Sequence, residues 1–128
     1  METATKKTAS FTIYGRLDGL NQYVNACRSN KYQGAKAKTK NERLIKAHID
    51  DQLTGIQFKR PVSILFRWYE PNRKRDLDNV CSAKKFIQDA LVKMGVLEGD
   101  GWRHIAGFTD EFYIDKDNPR IEVTIREV

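Results

Sequence analysis

Val62-Ser63-Ile64-Leu65-Phe66-Arg67-Trp68-Tyr69, entered through Pro61 and left through Glu70-Pro71-Asn72, is the run that decides the fold. Val62, Ile64, Phe66 and Trp68 fall on one face at period two, and β-branched or aromatic side chains suit a pleated, buried surface. Leu65 and Tyr69 make the second face partly apolar, which predicts a central strand rather than an edge. Pro71 and Asn72 are turn formers, and beyond them the chain enters Arg73-Lys74-Arg75-Asp76-Leu77-Asp78-Asn79.

Downstream, Ala83, Phe86, Ile87, Ala90, Leu91 and Met94 recur at i, i+3, i+4, i+7, i+8 and i+11, an amphipathic helix with Asp78 or Asn79 as N-cap and Gly95 closing it. Glu98-Gly99-Asp100-Gly101 reads as a tight loop. A strand follows over Ile105 to Ile114, then a hairpin turn at Asp115 to Pro119. Ile121, Val123 and Ile125 alternate in a last strand.

Upstream, Phe11, Ile13 and Leu17 predict a strand. Thr39 with Glu42 has capping-box spacing for a helix carrying Leu44, Ile45, His48, Ile49 and Leu53 on one stripe and ending at Gly55. His48 sits on that stripe as a helix residue, with no second ligand spaced around it. The polar segment 25–38, with Arg28, Lys31, Lys36 and Lys38, reads as a basic loop, and residues 1–9 as disordered. The expectation is an α+β fold in one domain spanning 1–128: β-α-β-α-β-β, a small mixed sheet packed against two helices.

A chain of 128 residues has room for one core. Hydrophobic residues at 40% and charged residues at 31% exclude a disordered chain. No apolar stretch approaches the ~20 residues of a membrane span, and the polar first residues do not resemble a signal peptide, so a cytoplasmic protein with Cys27 and Cys81 as free thiols is expected. The net charge of +6 suits an anionic partner. It is unevenly spread: cations crowd 28–46 and 73–75, while acids crowd 98–117, as for a basic rim around an acidic site that needs a cation.

Asp76-Leu77-Asp78 is the candidate site. In extended backbone two carboxylates one residue apart point to the same side with Cα atoms ~6.5 Å apart, and one hard divalent ion can bridge them while taking a phosphate oxygen as a further ligand. Helix capping explains Asp78 equally well, but not Asp76 or the basic triplet before it. Along the helix, Lys85 and Asp89 return to the azimuth of Asp78 while Lys84 points away; a Lys85 to Asp89 pair at i, i+4 is the plainer use of that lysine. Glu98 and Asp100 are both candidates for a third carboxylate. His104 is a strand or loop residue held in reserve as a base. Asp115-Lys116-Asp117-Asn118 lacks the Gly and Glu of a calcium loop.

Arg75-Asp76-Leu77-Asp78-Asn79, the helix ending in Asp89-Ala90-Leu91, and Gly95-Val96-Leu97 before an acidic loop together resemble the RusA family of Holliday junction resolvases. Asp100 to Phe108 resembles the phage-borne branch. The resemblance runs over about Val62 to Ile125 and is loose before Pro61. It implies a homodimeric, Mg²⁺-dependent endodeoxyribonuclease, with Mn²⁺ as a substitute, that nicks branched four-way DNA in pairs through a metal-activated water. Asp76, Asp78 and Asp100 take the metal-binding positions. The family's lysine falls on Ser82 counting forward from Asp78 and on Lys85 counting back from Asp89. Arg28, Lys31, Lys36, Lys38, Arg73, Lys74, Arg75 and Asn79 would then contact DNA. Two rivals share these residues: a non-catalytic phage DNA-binding module whose aspartates only cap a helix, and a metal nuclease for other branched or single-stranded substrates.

Overall fold

A computed structural model describes residues 6–128. The order is β1 (Thr8–Tyr14), α1 (Leu20–Ser29), α2 (Lys31–Gln52), β2 (Val62–Glu70), α3 (Leu77–Cys81), α4 (Lys84–Lys93), β3 (Ile105–Ile114) and β4 (Arg120–Glu127). The four strands form one mixed sheet in the order β1-β4-β2-β3. β2 is central as expected, antiparallel to β4 and parallel to β3. Val62, Ile64, Phe66 and Trp68 are all buried, with Val123 and Ile125 of β4 and Ile45, Ile87 and Leu91 of the helices. Each such side chain contributes about 1.5–3 kcal/mol on leaving water.

The α+β class and mixed sheet agree with the sequence reading, but several details differ. Segment 25–38 is not a loop. It is the end of α1 and the first turns of α2, joined at Asn30, whose side chain caps α2 by accepting from the Gln33 N–H at 2.8 Å. Gly34, read as a loop residue, is buried because α1 and α2 pack closely there: a Cβ would lie 2.8 Å from the Cys27 sulfur. Thr39 and Glu42 form no cap. Thr39 lies inside α2 and donates to the Ala35 carbonyl, and Glu42 is buried, receiving both its bonds from Lys93 of α4 at 2.9 and 3.0 Å.

Of the segment expected to be disordered, residues 1–5 lie outside the described residues, whereas Thr8 and Ala9 are in β1, paired with Arg126 and Ile125. β1 ends at Tyr14 rather than Leu17, because Gly15 turns the chain at φ +94°. Asp115 to Pro119 is not a hairpin: β2 separates β3 from β4, and the turn passes over the end of β2 with the Asp115 N–H on the Glu70 carbonyl at 2.8 Å. The expected downstream helix is two, α3 and α4, and the N-cap of the first is Asp76 rather than Asp78 or Asn79.

Candidate active site

β2 delivers the chain at its C-terminal end into Pro71 to Arg75, and α3–α4 is the crossover that returns it to parallel β3. The acidic pair stands where that crossover begins. Asp76 is extended (φ −66°, ψ 156°) and its side chain makes no capping bond; Asp78 is already in the first turn of α3. The pair is therefore not the alternation of an extended strand. A helix start places both, with the Val80 N–H on the Asp76 carbonyl and the Ser82 N–H on that of Asp78. Both carboxylates are exposed, and among the described residues their only side-chain hydrogen bond is the one Asp78 Oδ1 accepts from the Asn79 N–H at 2.9 Å. Among the described residues no lysine or arginine pairs with either, while Asp18, Asp89, Asp100 and Asp110 are all paired.

Asp100 lies in the loop after α4 and belongs to a different group of charges. Lys85 Nζ stands 3.1 Å from Asp100 Oδ2 and 3.0 Å from Asp89 Oδ1, and Lys38 approaches Asp89 at 3.8 Å. The hydrogen bonds that Lys85 donates to Asp89 and then to Asp100 raise its pKa, so this ammonium stays charged. Lys85 thus makes the i, i+4 pair that its spacing to Asp89 suggests, and a second pair with Asp100. Among the described residues no three His, Cys, Asp or Glu side chains gather closely enough to hold one metal ion.

Two of the residues matched to DNA contacts are occupied inside the fold. Arg75 donates to the Leu17 carbonyl at 3.0 Å and to Gln22 Oε1 at 2.7 Å; burial, then the neighbouring Arg16, lowers its pKa. Asn79 Oδ1 accepts the Asn21 N–H at 3.0 Å, capping α1 from α3, and Gln22 Oε1 also accepts the Gly19 N–H at 2.9 Å. Arg28, Lys31, Lys36, Arg73 and Lys74 remain exposed. Lys84 points elsewhere, as its azimuth predicts: it pairs with Asp110 of β3 above the rings of Phe66 and Phe108, and Asp110 also accepts the Trp68 indole N–H at 2.8 Å. No local pattern announces Asp110, since its partners lie far away in sequence; Asp89 was legible from its spacing to Lys85. His104 packs its imidazole against Gly99, where a Cβ would sit 2.6 Å from Cδ2. His48 donates from Nδ1 to the Leu44 carbonyl at 2.8 Å and receives the Tyr14 N–H on Nε2 at 3.3 Å, so it is a structural residue.

The exposed pair of carboxylates thus follows a basic triplet just beyond the carboxyl end of the central strand. In a comparison with protein families, residues 19–126 match the endodeoxyribonuclease RusA family, and the chain belongs to it. The match includes α1 and α2, well upstream of where the motifs themselves begin. The family consists of DNA endonucleases acting on Holliday junctions. No curated relative matches the chain.

Proposed function

We propose that this protein is a Mg²⁺-dependent endonuclease that resolves four-way DNA junctions by paired nicks, and that Asp76 and Asp78 are the centre of its site. The observation that carries this is the state of those two carboxylates: exposed, paired with no lysine or arginine among the described residues, and shortly after Arg73 and Lys74 in a chain of the RusA family. The donor set fits Mg²⁺, which is commonly held by one or two carboxylates with waters and substrate phosphates completing its shell, and for which Mn²⁺ can substitute. When bound, the ion supplies a Lewis acid that activates water and offsets charge on the departing oxygen.

The chain's own groups do the rest. Asp76 and Asp78 provide the anionic oxygens. Asp100 is the distal carboxylate, and Lys85 lies between it and Asp89, charged and placed to offset negative charge on a phosphoryl group. Arg28, Lys31, Lys36, Lys38, Arg73 and Lys74 hold the phosphate backbone without reading sequence; Arg75 and Asn79 instead tie the start of α3 to the loop and helix α1 beside it. A junction of near-twofold symmetry is matched by an isologous dimer with two such sites. A cytoplasmic location follows from the substrate.

The test compares cleavage of a fixed four-way junction with linear duplex, in Mg²⁺ and in chelator, for the wild type and Asp78→Asn. The wild type nicks junctions only with metal, and Asp78→Asn still binds them but does not nick. Nicking retained by Asp78→Asn removes that residue from the site. Binding without any cleavage by the wild type leaves the non-catalytic module as the answer.

A further inference from the structure

Beside Asp76 the surface opens into a groove of about 490 Å³ between the start of α3 and the end of β3. Glu70, Asn72, Arg73, Arg75 and Asp76 form its polar side, with Glu70 already paired to Arg16 at 2.7 Å, and Leu77, Phe112, Tyr113 and Ile114 line its apolar side. Leu77, Tyr113 and Ile114 are 58%, 42% and 50% exposed. Large apolar side chains clustered this way mark a surface that something covers. The Tyr113 ring is also held in place. It stacks on Tyr69 with centroids 4.9 Å apart, Arg120 lies 3.8 Å over Tyr69, and the Tyr113 hydroxyl donates to Glu111 at 2.7 Å.

We propose that this groove takes an unstacked nucleobase of the DNA substrate, the one next to the phosphate held at Asp76 and Asp78. The inference rests on the proposed placement of the phosphate at that pair. Asp76 is itself part of the groove wall, and bases succeed one another every ~3.4 Å along a strand. A phosphate bound there therefore brings its neighbouring base to the groove. Arg73 at the rim matches the backbone charge, and apolar and aromatic walls match a base face of any sequence. At the exchange point of a junction, bases have already lost part of their stacking, so moving one aside costs least there. The groove thereby supplies a preference for branched over linear DNA that phosphate contacts alone cannot.

The test is a coupling cycle on full-length protein. Junctions carry an abasic site at each exchange-point nucleotide in turn, and their Kd for the wild type and for Tyr113→Ala is measured in Ca²⁺, a hard cation that takes the same oxygen ligands, under conditions where the strands stay uncut. At one position, base removal and Tyr113→Ala each weaken binding about tenfold, and together they weaken it no further. Leu77→Ala, at an exposed position, repeats the cycle if Tyr113→Ala does not fold. Losses that multiply at every position overturn the proposal. So does a change in sedimentation of either variant with junction affinity unaltered, which would assign the groove to a second copy of the chain. Because cleavage is not the readout, failure of this cycle is separable from failure of the nuclease assay.

Discussion

Asn79→Ala should lower the melting temperature by about 4 °C without altering junction binding. Asn79 Oδ1 accepts the Asn21 N–H in the first turn of α1, a donor with no partner of its own within the helix. Losing such a cap costs about 1 kcal/mol, and at an unfolding entropy of about 2.1 cal/mol/K per residue that energy corresponds to about 4 °C for a chain of this size. Asn79→Asp keeps the acceptor and adds a charge favourable at a helix N-terminus, so it should melt close to the wild type. Gly19 provides the sharper control. Its φ of −78° is open to any residue, yet a Cβ there would lie 2.6 Å from Asn79 Oδ1. Gly19→Ala should therefore push the Asn79 amide off the Asn21 N–H and destabilise by about the 1 kcal/mol of that cap plus the smaller cost of alanine at the N-cap, and the double variant should lose only that smaller cost relative to Asn79→Ala, because the obstructing atoms are gone. Scanning calorimetry of the four proteins closes the cycle. Additive losses, or weakened junction binding with an unchanged melting temperature, would refute the reasoning and return Asn79 to the DNA interface.

Asp110→Ala strips the acceptor from the buried Trp68 indole N–H and the partner from Lys84. An orphaned buried donor costs about 1–3 kcal/mol, so the variant should melt at least about 4 °C lower; a melt matching the wild type would show that the indole bond contributes nothing. Acid should act through Glu111 and Asp115, whose pKa values are held down by the Tyr113 hydroxyl and Arg67, and by Arg120 and the Asn118 N–H, respectively. A depressed folded pKa means the stabilisation is complete above the unfolded value of about 4 and is lost as pH falls through the folded one. Melting temperature should thus drop below about pH 4, and Arg120→Gln should flatten that drop.

The elements dominated by apolar period were legible in the sequence, β2, α4 and β4 above all. α1 and the start of α2 were not, because their helical signal is diluted by Arg28, Lys31, Lys36 and Lys38, and because Gly34 looks like a loop residue while serving a tight helix contact. The hairpin error at Asp115 has a different origin: short turns usually join neighbouring strands, and nothing local records that β2 lies between β3 and β4. At the site, residue types and their order were readable. The distinction between cations free for DNA and those spent inside the fold was not, since the partners of Arg75 and Asn79 are Leu17, Gln22 and Asn21, more than fifty residues away in sequence.

The position of β4 also orders the folding of the chain. Among the described residues β1 has no neighbour in the sheet other than β4, whereas β2 and β3 can pair through the α3–α4 crossover before β4 is made. During synthesis the earliest strand must wait for the latest, and closing that long loop is entropically slow. A ribosome-bound chain arrested before residue 120 would hold a half-built sheet with the inner edge of β2 bare, a surface open to association with other nascent chains.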